Sequence, residues 1–358
     1  MDNKIFENLF VLELANNHWG SLERGKQIVR EFAKVVKENK VKAAIKLQFR
    51  DTDNFIHKDF KNVGEGADLT TLPKRNRYIQ KQARTKLSYE QFKELVIYIK
   101  KHDCIPMSTP FDEKSVDWCV DLNLPIIKIA SSDINDWLLL NKIATTKRPV
   151  IISTGGANDK QIDDVIRFFT NRNIPIAVNH CVSKYPSEDN ELELDQIDYI
   201  KNKYPNLVVG LSTHEYHDWH SSMYISYAKG ARTWERHIDI PYPAGHEQKE
   251  VSNYCSLPHQ VDEWFKAFNK ATIMCGTAAV SRRVIDEKEA NYLQALYRGL
   301  YLKRDVKKGD AITIDDLYSA IPYQKELGQL SSRDFIESET KASIALKKDA
   351  PLLKSNIE

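Results

Sequence analysis

Eight short apolar runs occupy the chain between residues 10 and 238, and most are separated by stretches with helical spacing. The runs are FVLEL (10–14), AAIKLQF (43–49), IPMST (105–109), PIIKIASS (125–132), PVIIST (149–154), IAVNHCVS (176–183), LVVGLSTH (207–214) and ARTWERHI (231–238). Regular alternation of strand and helix is typical of a parallel sheet covered by helices. Eight such units predict a (β/α)8 TIM barrel, an α/β fold.

Each run carries a polar or charged residue at or near its end. In a (β/α)8 barrel the active site lies at the C-terminal ends of the strands, so these residues are predicted to share one site. They are Glu13, Lys46, Gln48, Thr109, Lys128, Ser131, Ser153, Ser183, Ser212, His214, Glu235 and His237. A lone strand-end Ser, Thr or His is more often a hydrogen-bonded structural residue, but a set of this size favours a binding site.

The connecting segments at 21–37, 160–169 and 194–204 have helical spacing, and Ser88 with Gln91 forms a capping-box pattern that opens a further helix. One connection differs. Residues 50–87 are predicted to form a long charged loop containing the basic stretch PKRNRYIQKQARTK (73–86). Because this loop follows the second strand, we expect it at the mouth of the site, where its charge would attract anions. The equally weighted alternative is a solvated surface excursion.

Beyond Ile240 the alternation stops. A helix is predicted at about 258–270 and a polar connector helix at 276–296, followed by short alternating strands in LYLKRDVKKGDAITIDDLYSAIP and ASIALKKDAPLLKSNIE. We therefore expect a barrel over 1–275, a linker helix over 276–296 and a small β-rich domain over 297–358. A domain of about 60 residues has a modest core, so we expect it to pack against the barrel or against a partner subunit for stability.

Composition excludes several classes of protein. Among 358 residues, 52 Lys and Arg face 50 Asp and Glu, which gives no argument for nucleic acid or an anionic membrane as a partner. No run of about 18 apolar residues exists, and the N-terminus lacks a secretory pattern. The five cysteines are scattered and form no CxxC pair. We expect reduced thiols in a cytoplasmic protein.

The strand ends also resemble a known family. LELANNHWG, IKLQF, MSTPFD, KIASSD, ISTGG, HCVSKYP, GLSTH and WERH are similar, in order and spacing, to motifs of the sialic acid synthase family, which includes N-acetylneuraminate, legionaminate and pseudaminate synthases. The C-terminal stretch YLKRDVKKGDAITIDDL resembles the appended antifreeze-like (SAF, β-clip) domain of that family. The resemblance implies condensation of phosphoenolpyruvate with an N-acylhexosamine, giving a nine-carbon 3-deoxy-ulosonic acid and phosphate.

The predicted site agrees with that chemistry, because phosphoenolpyruvate carries a phosphate and a carboxylate and needs cations and short hydroxyl donors. By resemblance, seven residues clamp it: Lys46, Thr109, Lys128, Ser131, Ser153, Ser183 and Ser212. The resemblance also implies that Gln48 and Tyr185 line the sugar pocket, and that Glu13, Lys128 and His237 are catalytic. Glu13 would contact substrate hydroxyls or position water.

His214 and His237 end the seventh and eighth strands, which are neighbours in a closed barrel. Two imidazoles so placed can share one divalent ion, and the resemblance implies Mn²⁺ or Mg²⁺. The ion would act as a Lewis acid on the aldehyde of the open-chain sugar. A pair of hydrogen-bonded structural histidines is the alternative.

The chain departs from the family pattern at three positions. Ser252 stands near a family Asp that contacts substrate, with Glu247 and Glu250 as candidate replacements; Thr213 stands for the Asp before the metal histidine. Ile321 stands where the family has an Arg that reaches the partner subunit's sugar. An apolar residue cannot replace those hydrogen bonds. We therefore expect an acceptor other than N-acetylmannosamine, either a different acyl or deoxy sugar, such as a legionaminic-type precursor, or a non-acylated sugar.

Three alternatives stay open at this point: a related synthase of an eight-carbon or non-acylated ulosonate, a non-catalytic sugar-phosphate-binding regulator, and a metal-dependent aldolase that uses pyruvate. The resemblance further implies a domain-swapped homodimer with phosphoenolpyruvate and an aldose as substrates. From the charge balance and the lack of an apolar span, we expect neither nucleic acid nor membrane as a partner.

Overall fold

The chain divides into two compact units, which run from Met1 to Gly276 and from Thr277 to Glu358 in a computed structural model. The structure describes residues 3–246, 248–276, 282–336 and 338–358. Each unit has its own core of buried apolar side chains. The division falls within the segment for which the sequence predicted a linker helix.

Nine strands form the sheet of the first unit: β1 (Leu9–Ala15), β2 (Lys42–Phe49), β3 (Ile105–Pro110), β4 (Ile127–Ile129), β5 (Val150–Ser153), β6 (Ile176–Cys181), β7 (Val208–Ser212), β8 (Thr233–Ile238) and β9 (Cys255–Ser256). Strands β1 to β8 pair in parallel in sequence order, and β8 returns to pair with β1. The predicted (β/α)8 barrel is therefore confirmed. Strand β9 is an addition on the outer end of β8.

The helices of the first unit are α1 (Leu22–Asn39), α2 (Thr52–Phe55), α3 (Lys74–Arg84), α4 (Tyr89–Lys101), α5 (Glu113–Asp121), α6 (Trp137–Thr145), α7 (Asp159–Thr170), α8 (Gln196–Lys203), α9 (Ser221–Ala228) and α10 (Pro258–Cys275). The predicted capping box is present: the Ser88 hydroxyl accepts from the Gln91 N–H, and the Gln91 amide oxygen accepts from the Ser88 N–H. None of the helices in the described ranges is long and apolar enough to cross a membrane.

Alternation of side chains along each strand separates the barrel's two apolar layers. On β1, Phe10 and Leu12 belong to the large core between strands and helices, whereas Leu9 and Val11 belong to the smaller inner cluster. Glu13 continues the inward series of Leu9 and Val11 at the C-terminal end of the strand. The same period places Lys46 and Gln48 of β2 on the interior, because both lie an even number of residues beyond Ala44.

The segment 50–87 is not the structureless loop that the sequence predicted. It contains α2, two short 3₁₀ turns and the eleven-residue helix α3. Helix α3 has no Gly or Pro in its interior, and the prediction failed because its apolar positions are too few to show an amphipathic period. The predicted position at the mouth of the barrel is correct, since residues of α3 line the cavity described below.

The second unit contains α11 (Glu287–Gln294), β10 (Gly299–Leu302), β11 (Ala311–Ile312), β12 (Leu317–Ala320), α12 (Ser332–Ile336) and β13 (Thr340–Lys341). Strand β10 pairs antiparallel with β12, and β11 pairs antiparallel with β13. Leu300, Leu302, Phe335 and Leu352 are among its buried apolar residues. The assignment of this unit to the antifreeze-like domains stays a prediction.

Candidate active site

A cavity of about 670 Å³ opens at the C-terminal ends of the barrel strands. All the residues that the sequence singled out for binding or catalysis line it: Glu13, Lys46, Gln48, Thr109, Lys128, Ser131, Ser153, Ser183, Tyr185, Ser212, His214 and His237. They come together because the strands are parallel and closed, so that every strand end points to the same mouth. The structure thus brings all of these residues to one place, while their individual roles stay proposals.

A buried ion cluster occupies the base of the cavity. The ammonium group of Lys46 contacts the Glu13 carboxylate, lies 3.0 Å from Oε1 of Glu235 and donates to Thr109 Oγ1 at 3.1 Å. Burial alone would lower the pKa of Lys46, but the two carboxylates outweigh it and raise that pKa. Burial raises the pKa of Glu13 despite the attraction of Lys46. Lys46 is therefore a fixed cation, and Glu13 is the carboxylate closer to holding a proton.

Lys128 has a different environment from Lys46. Its ammonium donates to Ser153 Oγ at 2.7 Å and to the Ile129 carbonyl at 2.9 Å. No carboxylate within the described part of the chain lies close enough to form an ion pair with it, and burial lowers its pKa. A buried ammonium with no counter-ion makes a strong site for an incoming anion.

The hydroxyls of Ser131 and Ser183 converge over Gly155, in the loop that follows β5. A Cβ atom at position 155 would overlap Ser183 Oγ and would lie 2.8 Å from Ser131 Oγ. Only a glycine leaves this space open, because any side chain would displace both hydroxyls. The space beside Lys128 and Ser153 is thus ringed by short donors, as a phosphate or carboxylate requires.

The imidazoles of His214 and His237 face each other with ring centroids 5.5 Å apart. The Nδ1 atom of His214 lies 3.1 Å from the Val182 carbonyl, which can only accept, so Nδ1 carries the proton and Nε2 keeps its lone pair. Burial lowers the pKa of His214 to about 4 and holds that of His237 well below its usual range. Both rings are therefore neutral at pH 7, the form that binds a metal ion.

One ring nitrogen of His214 and one of His237 could bind a divalent ion, but two ligands alone do not complete a metal site. The second ring nitrogen of His214 is anchored by a backbone carbonyl, as is usual for metal-binding histidines. Within the described ranges, no group of three His, Cys, Asp or Glu side chains is arranged to hold an ion. An ion held here would need water or substrate oxygens for its remaining positions.

Several cavity residues lie outside the predicted set. Glu235 was recognised as a strand-end residue but was given no role, although it pairs with Lys46. Tyr254 packs edge-on against His237 and Tyr185, with ring centroids 5.4 Å away in both cases. The cavity is also lined by Arg50, Lys74 and Lys81. The sequence indicated Lys74 and Lys81 only through the basic character of residues 73–86. Tyr254, just before β9, and the two lysines of α3 do not end a barrel strand, so sequence reasoning missed their contributions.

Of the positions where the chain departs from the family pattern, Thr213 is not among the residues that line the cavity. Thr213 is buried and its hydroxyl donates to Glu215, which forms a buried ion pair with Arg236 at 2.6 Å. Neither Ser252 nor Glu250 is among the residues that line the cavity. The other candidate replacement, Glu247, lies outside the described residues. Ile321, in the second unit, is 62 % exposed.

Comparison with known proteins gives a consistent result. The model of the NeuB family matches residues 34–278. The N,N'-diacetyllegionaminic acid synthase of Campylobacter jejuni is 26 % identical over 93 % of this chain and 98 % of that protein. A pseudaminic acid synthase of the same species is 28 % identical over 93 % of this chain and 94 % of that protein. The crystal structure of a putative spore coat polysaccharide biosynthesis protein E from Chromobacterium violaceum is 33 % identical, with a TM-score of 0.86, and the alignment covers 98 % of this chain and 100 % of that one.

Proposed function

Because this chain belongs to the NeuB family, we propose that it condenses phosphoenolpyruvate with an aldose, giving a 3-deoxy-ulosonic acid and inorganic phosphate. The observation that supports this most is the anion site at the strand ends, where Lys128 lies beside Ser153 and forms no ion pair with any described carboxylate. The hydroxyls of Ser131 and Ser183 complete it over Gly155. Phosphoenolpyruvate has the two anionic groups that such a site would hold.

The reaction forms one carbon–carbon bond and breaks one carbon–oxygen bond. C3 of phosphoenolpyruvate attacks the aldehyde carbon, and the aldehyde oxygen takes a proton. Water adds to C2 and loses one proton, which leaves a hydroxyl on C2. The C2–O bond to phosphate then breaks while that hydroxyl passes its proton to the leaving phosphate, which leaves a ketone. Lys46 and Lys128 would stabilise the negative charge of the leaving phosphate. Holding both substrates in reactive geometry can supply several kcal/mol of the barrier reduction, on the order of 7–11 in favourable systems.

Glu13 would exchange a proton with the reacting water or with a sugar hydroxyl. Its Oε1 atom accepts from the Ala15 N–H at 2.7 Å, which fixes the orientation of the carboxyl group. The raised pKa caused by burial makes protonation of Glu13 easier than for an exposed glutamate. Gln48 and Tyr185 line the same cavity and would contact the sugar.

His214 and His237 would hold a divalent ion, Mn²⁺ or Mg²⁺, and such an ion supplies Lewis-acid polarisation of a carbonyl oxygen when it is bound. The neutral state of both rings supports this role. Tyr185 stacks on His214 with ring centroids 3.9 Å apart and so restricts the orientation of that ring.

The acceptor sugar is proposed to differ from N-acetylmannosamine. The relatives are named for different products, so membership of the family does not select one acceptor. The apolar Ile321 cannot supply the hydrogen bonds of an arginine. We further propose that the second unit is an antifreeze-like domain that acts in a homodimer, and sedimentation of the full chain at micromolar concentration tests the dimer.

The decisive experiment measures phosphate release from phosphoenolpyruvate with Mn²⁺ over a panel of aldoses, in water enriched in ¹⁸O. Cleavage of the C–O bond leaves the bridging oxygen with phosphate, so the released phosphate should carry no label. Lys128→Met should stop release, whereas Lys160→Met, which changes an exposed lysine of α7, should not. Release that needs no aldose, or labelled phosphate, would exclude the condensation.

A further inference from the structure

Helix α3 presents one polar face to the cavity. Lys74, Tyr78, Lys81 and Gln82 line the cavity, and their spacing of four, three and one residues places them on one side of a helix. Gln82 accepts from the Asn16 amide at 2.9 Å, which joins this face to the segment that follows β1. The orientation of α3 over the mouth is thus held by a direct side-chain contact.

Two of the four residues on this face are cationic, and neither forms an ion pair within the described ranges. Among the described residues, no carboxylate lies within 4.0 Å of the ammonium of Lys74 or of Lys81. Lys81 is half-buried and lies over the ring of Trp19, 5.5 Å from its centroid. Asp239, a carboxylate whose charge acts on Lys81, is held by Arg24 at 2.7 Å and by the Tyr242 hydroxyl at 2.7 Å.

Arg50 adds a third cation just beyond the end of β2. Its side chain is only 6 % exposed, and its Nε atom has no hydrogen-bond partner in the described part of the chain. The guanidinium lies flat over Phe111, 3.6 Å from the ring centroid, and makes long contacts to Tyr78 and Asn16 of 3.4 Å and 3.5 Å. A buried, oriented guanidinium with an unused donor marks a place for an acceptor that the protein itself does not supply.

Lys81 differs in position from the phosphoenolpyruvate clamp. The clamp hydroxyls come from the ends of β3 to β7, and Lys128 comes from β4. Lys81 lies instead on the side of the cavity formed by β1 and β8, where its charge acts on His237 and it contacts Trp19. His237, a proposed ligand of the divalent ion, lies on that side, and we place the acceptor sugar there for that reason.

We propose that Arg50, Lys74 and Lys81 form a second anion site, which recognises a phosphate or carboxylate at the end of the acceptor sugar remote from its aldehyde. This inference rests on the proposed condensation for the identity of the sugar. A second anion site would restrict the acceptor to an acidic aldose. It would also explain why three cations line the cavity without an ion-pair partner among the described carboxylates.

Sugar alcohols separate this site from catalysis, because they have no aldehyde and cannot condense. Calorimetry of the full chain with Mn²⁺ and saturating phosphoenolpyruvate, which fills the clamp, would compare mannitol, mannitol 1-phosphate and mannonate. We expect one of the two acidic ligands to bind about tenfold or more tightly than mannitol, as a charge-assisted hydrogen bond predicts. Preference for the phosphate or for the carboxylate identifies the acidic group.

The variants are Lys81→Met, Lys74→Met/Lys81→Met and Lys81→Arg, with Lys93→Met on the exposed side of α4 as the matched control. Lys81→Met should reduce the preference for the acidic ligand over mannitol about tenfold, and Lys81→Arg should retain most of that preference. The affinity of both variants for phosphoenolpyruvate should stay within about twofold of wild type. Equal affinity, or no binding, for all three ligands in the wild type would overturn the proposal. The proposal would also be overturned if Lys74→Met/Lys81→Met still preferred the acidic ligand over mannitol. It would be overturned as well if Lys81→Met weakened phosphoenolpyruvate binding as much as it weakened binding of the acidic ligand. If the acidic ligand is preferred but no aldose causes phosphate release from phosphoenolpyruvate, the anion site is supported and the proposed condensation is wrong.

Discussion

The ammonium of Lys46 lies 3.0 Å from Oε1 of Glu235, although β2 and β8 are separated by β1 in the barrel. Glu13 of β1 contacts the same ammonium from between them. Lys128, on β4, has no such carboxylate partner in the described ranges and donates to neutral oxygens only. The two lysines of the proposed anion site therefore differ in electrostatic state, and this difference can be measured.

Lys46→Met should lower the free energy of unfolding by about 3–5 kcal/mol, because it leaves two buried carboxylates without their shared cation. Lys128→Met should change it by less than about 1 kcal/mol, since the lost hydrogen bonds are offset by relief from burying an unpaired charge. Urea unfolding measures both, and both variants should lose acceptor-dependent phosphate release. Equal destabilisation by the two substitutions would contradict the assignment of the ion cluster to Lys46.

Gly155→Ala should weaken phosphoenolpyruvate binding without any change in a charged or hydroxyl group. The added Cβ would overlap Ser183 Oγ and would crowd Ser131 Oγ, so the KM for phosphoenolpyruvate should rise about tenfold or more, as expected when a hydrogen bond to a charged group is lost. Steady-state kinetics measures this. Gly156→Ala is the control, because a Cβ there meets nothing within 4 Å and adds only the strain of a φ of +73°. An unchanged KM in Gly155→Ala would remove the two serines from the proposed clamp.

His214→Gln should abolish binding of Mn²⁺. The wild-type chain is expected to bind one ion, and electron paramagnetic resonance of free Mn²⁺ counts the bound fraction directly. His217→Gln serves as the control, because His217 is exposed and contacts Glu188 at 3.3 Å. Treatment with a chelator should stop phosphate release, and added Mn²⁺ should restore it. Tight Mn²⁺ binding that survives in His214→Gln would place the metal site elsewhere.

The ionised carboxylate of Asp316 should stabilise the second unit, and this stabilisation should be lost at low pH. Arg304 donates to Asp316 at 2.6 Å and the Thr313 N–H donates at 2.9 Å, and these bonds lower the pKa of Asp316 from 3.8 to about 2. Because the folded pKa lies below the unfolded one, the contribution is full above about pH 4 and is lost as the pH falls toward 2.

Asp316→Asn should therefore lower the melting temperature of the second unit at pH 7, and the difference from wild type should shrink by pH 2.5. Thermal unfolding of the full chain at both pH values measures this. Asp334→Asn is the control, since its contact with Lys354 is longer, at 3.5 Å. A difference that stays constant with pH would mean that the Asp316 ion pair contributes no net stability.

Much of the site could be predicted because strand alternation is a local property. A residue two positions beyond an inward-facing strand residue also faces inward, so Glu13, Lys46 and Gln48 could be placed in the barrel interior from the apolar pattern alone. Closure of eight parallel strands then brings all strand ends to one mouth. The predicted residues meet in one cavity for that reason.

Residues outside the strands could not be placed in this way. Helix α3 covers the mouth through a face defined by Lys74 and Lys81, and Tyr254 reaches His237 from the segment just before β9. Their positions depend on contacts between segments distant in sequence, such as Asn16 with Gln82, which leave no periodic signal in either segment.

The amino-acid sequence by itself determined the barrel, the order of its strands and the polar residues at their ends, because these follow from short-range periodicity and from the geometry of parallel strands. Only the tertiary structure decided which charges neutralise one another. Lys46 and Lys128 have the same sequence context, a lysine within an apolar strand, but one lies between two carboxylates and the other faces only neutral oxygens. That difference arises from the register between neighbouring strands, which pairs Glu13 with both Lys46 and His237 and which no single strand specifies.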